Sequence, residues 1–290
     1  MWGEKMTYKF GYVSVVGKPN AGKSTLVNYI VGEKVAIVSH KKQTTRNNIL
    51  GILTEDNYQV VFIDTPGIHK AMHQLDKYMM KNVRSALAGS DLILYLVDGT
   101  KVVDMEEKEH IASLKTKETP VIVVRTKIDI EKKLVEGVEA DFSVSARSGD
   151  GISELVEKIL TFMNSSNEKN FEFDEDMYTD KSLKFMAAET IREFVLKNLE
   201  EEIPHGVAVN IVKFDDSESL LKIEADIICE RKTHKGIIIG KGGATLKKIG
   251  AQSRVELEKL VDKKVFLQTF VKVEEDWRSK PNKLTEIGYN

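Results

Sequence analysis

Gly17-Lys18-Pro19-Asn20-Ala21-Gly22-Lys23-Ser24 is the first stretch of this chain with residues spaced for chemistry. It fits G-x-x-x-x-G-K-[ST], a loop whose backbone N–H groups converge on one concavity and hold phosphate oxygens. Lys23 supplies a cation for the terminal phosphates, and Ser24, followed by Thr25, a hydroxyl for a magnesium ion. Such a loop requires a strand before it and a helix behind it. Tyr12-Val13-Ser14-Val15-Val16 reads as the buried strand, and Ser24 to Val31 has helical spacing.

Three later segments extend the site. Asp64-Thr65-Pro66-Gly67 closes an apolar run, where a carboxylate can hold magnesium through a water and a glycine N–H can meet a γ-phosphate. Thr126-Lys127-Ile128-Asp129 closes another. A buried Asp129 carboxylate can accept from the N1–H and exocyclic amine of guanine, and adenine has no such donor pair, so a guanine nucleotide is expected. Lys127 can lie along the base, and Ser145-Ala146-Arg147 can offer a backbone N–H to the base oxygen.

The order of these motifs resembles the translation-factor-like GTPases. That family normally has Asn where this chain has Thr126, so guanine preference is expected with weaker affinity. The resemblance also implies a threonine that meets magnesium and the γ-phosphate within Lys41-Lys42-Gln43-Thr44-Thr45-Arg46. Thr45 is the first choice and Thr44 the reserve. Metal ligation is therefore expected of Ser24, Thr45 and Asp64. Such a loop orders on GTP and relaxes on hydrolysis. Ile68 stands where many GTPases place a water-orienting glutamine, and a hydrocarbon cannot orient water. Intrinsic hydrolysis is expected to be slow, and His69 to be a surface histidine without a role.

The elements that must position these residues alternate. Val60 to Asp64, Leu92 to Val97, Val121 to Thr126 and Asp141 to Val144 read as strands, with helical segments such as Gln74 to Ala88 and Glu106 to Lys115 between them. Their continuous apolar runs predict a mainly parallel sheet covered on both faces, an α/β phosphate-loop GTPase domain over residues 1–165. A polar, then acidic, stretch at 166–180 reads as a linker, and Phe171, Phe173 and Tyr178 imply that it lies against a surface.

The second half reads helix (Ser182 to Leu199), strand (Val207 to Phe214), strand (Leu220 to Cys229), helix, helix (Ala244 to Val261), strand (Val265 to Val273). Between its second and third helices lies Gly240-Lys241-Gly242-Gly243. A G-x-x-G loop joining helices in that order is the signature of a KH domain, an α+β fold that grips about four single-stranded nucleotides. Residues 181–275 are the expected type II KH domain and 276–290 a C-terminal tail. From Arg231 to Lys264 ten Lys or Arg face three acidic residues, in a chain of net charge −2. That patch is an electrostatic footprint for a polyanion. Lys235, Ile239, Gly240, Lys241, Gly242, Gly243, Lys247, Lys248 and Arg254 are the candidate RNA-binding residues.

One cysteine, Cys229, excludes an intrachain disulfide and fits a reducing compartment, and its strand-like surroundings place it in the core. Residues 1–6 lack the apolar stretch of a signal peptide, and no run is long enough to span a bilayer.

A GTPase domain followed by a KH domain resembles the bacterial Era GTPases. Gln43-Thr44-Thr45-Arg46, Asp64-Thr65-Pro66-Gly67, His234-Lys235-Gly236-Ile237-Ile238-Ile239-Gly240 and the stretch from Val265 to Arg278 carry the resemblance. It implies GTP hydrolysis with Mg2+, binding to 16S ribosomal RNA near its 3′ end, a role in 30S assembly, and cytoplasmic residence with peripheral membrane association. DNA is not an expected partner. Residue chemistry alone stops at a GTP-controlled RNA binder. An RNA-binding scaffold with a structural nucleotide, a GTPase acting on another RNA, and a small-molecule kinase stay open, the last without any acceptor-substrate motif.

Overall fold

A computed structural model describes residues 7–41, 43–130 and 138–289. Lys42, in the loop expected to carry the γ-phosphate threonine, and residues 1–6 lie outside the described residues. Contacts divide the chain into two units. The first takes the described residues up to Ala36, Thr45–His69 and those of Met79–Asp180. The second takes those of Ile37–Thr44, Lys70–Tyr78 and the described residues from Lys181 onward. Two segments that flank the phosphate-binding motifs thus pack within the second unit.

In the first unit β1 (Tyr8–Gly17), α1 (Lys23–Val31), β2 (Ile49–Glu55), β3 (Tyr58–Asp64), α2 (Gln74–Ala88), β4 (Leu92–Asp98), α3 (Met105–Lys115), β5 (Val121–Thr126), β6 (Phe142–Ser143), α4 (Ile152–Leu160) and β7 (Asn164–Ser166) follow in order, though the start of α2 groups with the second unit. The sheet order is β2-β3-β1-β4-β5-β6, with β7 on the start of β1. The pairs from β3 to β6 are parallel, whereas β2 and β7 pair antiparallel. Every residue of β4 is buried, because helices cover both faces. Its alternation sends Leu92, Leu94 and Leu96 into one apolar cluster and Ile93, Tyr95 and Val97 into the other. Connections between parallel strands leave from their C-terminal ends, which is why Gly17, Asp64, Asp98 and Thr126 finish β1, β3, β4 and β5 at one edge.

Two strands were not expected. In β2 the hairpin turn Glu55-Asp56-Asn57-Tyr58 doubles the chain back on β3. β7 lies in a polar stretch with no apolar alternation. Residues 166–180 lie on the first unit. The buried Gln59 amide accepts from Glu172 N and Phe173 N at 3.0 and 3.1 Å and donates to Phe173 O at 2.9 Å. Tyr178 O takes Ile52 N at 2.9 Å.

The second unit is built on α5 (Leu183–Asn198), β8 (Ala208–Asp216), β9 (Leu220–Cys229), α6 (Lys232–Ile239), α7 (Ala244–Val261) and β10 (Lys264–Val273). β9 lies between β8, antiparallel to it, and β10, parallel to it. The helices cover one face, where Ile191, Val195, Ile223, Ile227, Ile249 and Leu257 are wholly buried. Cys229 is buried in that core. The expected tail is structured instead. Trp277 is fully buried, donates from Nε1 to Gly206 O at 3.0 Å and stacks on Tyr289, and α8 (Pro281–Ile287) follows. An indole that size cannot stay in water when a pocket with a free carbonyl is available. Among the described residues no helix is long and apolar enough to cross a membrane.

Candidate nucleotide site and nucleic-acid interface

The loop from Gly17 to Ser24 turns where β1 meets α1. Gly17 has φ 147°, and a Cβ there would sit 2.4 Å from Leu96 O, so only glycine lets the loop leave the sheet at that point. Asn20 also takes a left-handed conformation, φ 67°. The Lys23 ammonium is buried and donates to Gly17 O and Lys18 O at 3.2 and 3.1 Å. Burial lowers its pKa to about 8, against the pull of Asp64. Pro19 lies against Gly67, where an added Cβ would meet it at 2.8 Å.

Three oxygen-bearing side chains meet beside Lys23. Ser24 Oγ donates to Asp64 Oδ2 at 2.6 Å. Thr45 Oγ1 lies 2.9 Å from Ser24 Oγ and donates to Asp64 Oδ2 at 3.3 Å. Asp64 is wholly buried, and its Oδ1 has no partner among the described residues. Desolvation pushes its pKa up to about 6, although Ser24, Lys23 and Thr45 all favour the anion. A buried carboxylate with one unsatisfied oxygen and two adjacent hydroxyls fits a hard divalent cation that completes its shell with water and phosphate. Among the described residues no cluster of three His, Cys, Asp or Glu could hold a metal by itself. Thr44 turns otherwise. Its hydroxyl donates to Lys41 O at 2.7 Å and its carbonyl accepts from Arg192. Thr65 Oγ1 donates to Val15 O at 2.8 Å, which ties Asp64-Thr65-Pro66-Gly67 to β1. Ile68 donates its N–H to Gly17 O at 3.0 Å and packs, half-buried, against the apolar cluster that includes Val97 and Tyr95. His69 Nδ1 is 2.8 Å from Gly67 O, so that nitrogen carries the proton.

At the other end of the loop the Thr126 hydroxyl donates to Ala21 O at 2.8 Å. Lys127, at φ 60°, turns its ammonium to Asp98 Oδ2 at 2.8 Å. Asp129 is exposed, which corrects the expectation of a buried carboxylate: it sits on the turn beyond the end of β5, outside the sheet. Its Oδ1 accepts from Ser145 Oγ at 2.7 Å. Ser145 is buried, and its oxygen also accepts from Arg147 N and Ser148 N at 3.2 Å. Ala146 packs on the core.

Sequence reasoning missed Asp98, Asp104 and Glu107. Burial opposes the Asp98 anion, but hydrogen bonds from Lys127 and Thr100 outweigh it and hold its pKa low. Asp104 caps α3 by accepting from Glu107 N and also pairs with Lys18. The Asp104-Met105-Glu106-Glu107 spacing, a capping pattern, was the available signal.

In the second unit α6 ends at Gly240, φ 73°, where a Cβ would meet Thr245 Oγ1 at 2.3 Å. Lys241 and Gly242 are exposed beyond it, and α7 opens at Ala244. Lys235, Lys247, Lys248 and Arg254 are exposed, and with Arg231, Lys232 and Lys241 they have no carboxylate partner among the described residues. Ile239 is half-buried and packs against the core. Free cations beside a glycine turn suit the approach of a sugar–phosphate backbone.

Comparison with known proteins matches both halves of the chain. Residues 12–127 match the family model described as 50S ribosome-binding GTPase, and residues 202–278 match the KH domain model. GTPase Era of Ruminiclostridium cellulolyticum is 44% identical over 98% of each chain. A crystal structure of Era in complex with MgGDPNP and nucleotides 1506–1542 of 16S ribosomal RNA superposes with TM-score 0.90 at 36% identity, over 97% of this chain and 99% of that one. A point variant of Aquifex aeolicus Era bound to GDP·AlF4− matches with the same TM-score, identity and coverage.

Proposed function

This chain belongs to the Era family of GTPases, and on that premise we propose that GTP controls its grip on the 3′ end of 16S ribosomal RNA, in service of 30S assembly. The observation that carries the reading is the buried Ser24–Thr45–Asp64 cluster, with one carboxylate oxygen unsatisfied, on the same chain as a free-cation G-x-x-G loop.

Gly17 to Thr25 and Asp64 to Gly67 surround the phosphates. Lys127, Asp129 and Ser145 to Arg147 meet guanine, with Thr126 holding their loop against Ala21. Ser24, Thr45 and Asp64 would hold Mg2+, which would offset charge on the phosphates. Asp64 must be ionised to do so, and the ammonium of Lys23 favours that state. Ile68 keeps its side chain in an apolar cluster, so this chain offers no amide to orient water there, and slow turnover suits a timer. Lys235, Gly240 to Gly243, Lys247, Lys248 and Arg254 take the RNA. The GTPase-domain model names the large subunit but covers only residues 12–127, whereas the 16S complex matches along 97% of the chain, so the small-subunit RNA is the partner we take. Cytoplasmic residence with peripheral membrane association rests on the family resemblance.

Co-sedimentation with small ribosomal subunits tests the reading, with the chain loaded with a non-hydrolysable GTP analogue or with GDP. Retention with the analogue and release with GDP is expected. Equal retention means a scaffold with a structural nucleotide, and none in either state overturns the ribosomal partner.

A further inference from the structure

Helix α5, the first of the second unit, buries three charged residues within about one turn: Glu189, Arg192 and Glu193 are 9%, 1% and 1% exposed. Such burial is costly unless every charge is paired. The guanidinium of Arg192 grips Glu189 with Nε and Nη2 at 2.8 and 2.5 Å, and the same Nη2 donates to the carbonyl of Thr44. Glu193 accepts from Lys197 at 2.9 Å and from Val38 N at 3.4 Å, and Lys41 pairs with Glu200. Val38 and Thr44 are therefore fastened to α5, and Lys41 to Glu200 just past its end, within one unit.

The next residue is Thr45, whose hydroxyl meets Ser24 and Asp64. The Thr44 carbonyl and the Thr45 N–H belong to one planar peptide, so a donor that sets the carbonyl direction also sets the plane from which Thr45 departs. A lysine could not replace the donor, since only a planar fork can hold both oxygens of Glu189 and still aim a third N–H at a carbonyl. Asn198 on α5 in turn donates to Gln252 Oε1 on α7 at 2.7 Å, and α7 carries Lys247, Lys248 and Arg254.

We propose that Arg192 is a positioning residue for GTP. It holds the Thr44–Thr45 peptide so that Thr45 faces the metal cluster, and it makes α5 the element through which nucleotide state and RNA binding report on each other. The proposal rests on the function stated above. Its chemical content is that the triphosphate state should tighten the Arg192–Thr44 link and the diphosphate state should not need it, with reciprocal effects on RNA.

The test uses the full chain with Arg192→Lys, which keeps the charge and loses the fork. A second variant, Arg192→Met with Glu189→Met, removes both charges and so leaves none buried alone. Affinities for GDP and for a non-hydrolysable GTP analogue are measured with saturating Mg2+, with and without the 16S fragment 1506–1542. Both variants should lose about tenfold in the analogue-over-GDP ratio while GDP affinity stays within about twofold, and RNA should no longer favour the analogue. An unchanged ratio in either folded variant overturns the proposal. Amide exchange in the unsubstituted chain asks the same without substitution: Thr45 and α5 should gain protection together with the analogue, and protection of Thr45 alone overturns it. Failure of the unsubstituted chain to bind the RNA would sink the functional reading but leave the nucleotide ratio to judge Arg192.

Discussion

Thr126 and Ala21 are 105 residues apart, and the hydroxyl of one donates to the carbonyl of the other at 2.8 Å. The same hydroxyl lies 3.2 Å from Val97 O. A threonine thus joins the turn after β5 to the phosphate loop and lies beside the end of β4. Thr126 is 4% exposed, so the link is made away from water.

Thr126→Val keeps the shape and removes the donor, leaving the Ala21 carbonyl short of the partner that holds it. We expect a loss of about 1–3 kcal/mol in stability and a several-fold weaker grip on GDP. Urea unfolding and nucleotide titration measure the two. Unchanged GDP affinity would show that the link does not shape the base site.

On the proposed function, Lys23→Ala should reduce nucleotide affinity by at least about a hundredfold, since it removes the buried cation of the phosphate loop. Binding of a short single-stranded RNA in the absence of nucleotide should persist, because Lys241, Lys247 and Lys248 belong to the other unit. Fluorescence titration with each ligand separates the outcomes, and loss of both would mean that the variant acts through folding.

Asp64 gives the nucleotide-free chain a pH signature. Its pKa is pushed up from 3.8 to about 6 by burial, so the folded chain holds this proton more tightly than the unfolded one. Stability relative to Asp64→Asn should therefore fall as pH rises from about 4 to about 6, and level off above that. Below about pH 6, Mg2+ must also displace the proton, so its affinity should drop. Urea midpoints of both proteins across that window provide the check; a difference independent of pH would refute the raised pKa.

Gly240 and Gly242 should separate folding from RNA binding. Gly240→Ala drives a Cβ to 2.3 Å from Thr245 Oγ1 at a left-handed φ, and should destabilise the unit by about 1–3 kcal/mol. Gly242→Asp points into open space, and its φ of 59° lies in the left-handed region that Asp tolerates at a cost of about 1 kcal/mol, so the unit should stay folded. An anion in the path of the phosphates should still cut RNA affinity by about tenfold or more. Thermal melts and RNA titration compare the two, and intact RNA binding in Gly242→Asp would move the interface elsewhere.

Trp277→Ala should cost about 3–5 kcal/mol, from a cavity and an orphaned Gly206 carbonyl. Calorimetry of the full chain measures it. A loss below about 1 kcal/mol would make residues 276–289 the dispensable tail that their polar sequence implies.

Much of this was legible in the chain. β4, β5 and β9 and the helices α2 and α7 follow from apolar period alone, because a buried strand or a helix face must repeat at its own spacing. The phosphate loop is legible because its glycines and its lysine act on one local turn. β7 escaped because Asn164-Ser165-Ser166 carries no hydrophobic signal and pairs only because Tyr8 to Phe10 offer an open edge. Asp98 escaped because its partner, Lys127, lies far along the chain.

By itself the sequence determined a phosphate-loop GTPase half and a KH half, since those properties reside in short contiguous patterns. Only the tertiary structure decided that Ile37–Thr44 and Lys70–Tyr78 pack with the second unit, that Thr45 and not Thr44 faces Asp64, and that Arg192 holds the peptide between them. Those are contacts between residues remote in sequence, chosen by which charges must be paired once buried, and no local spacing encodes them.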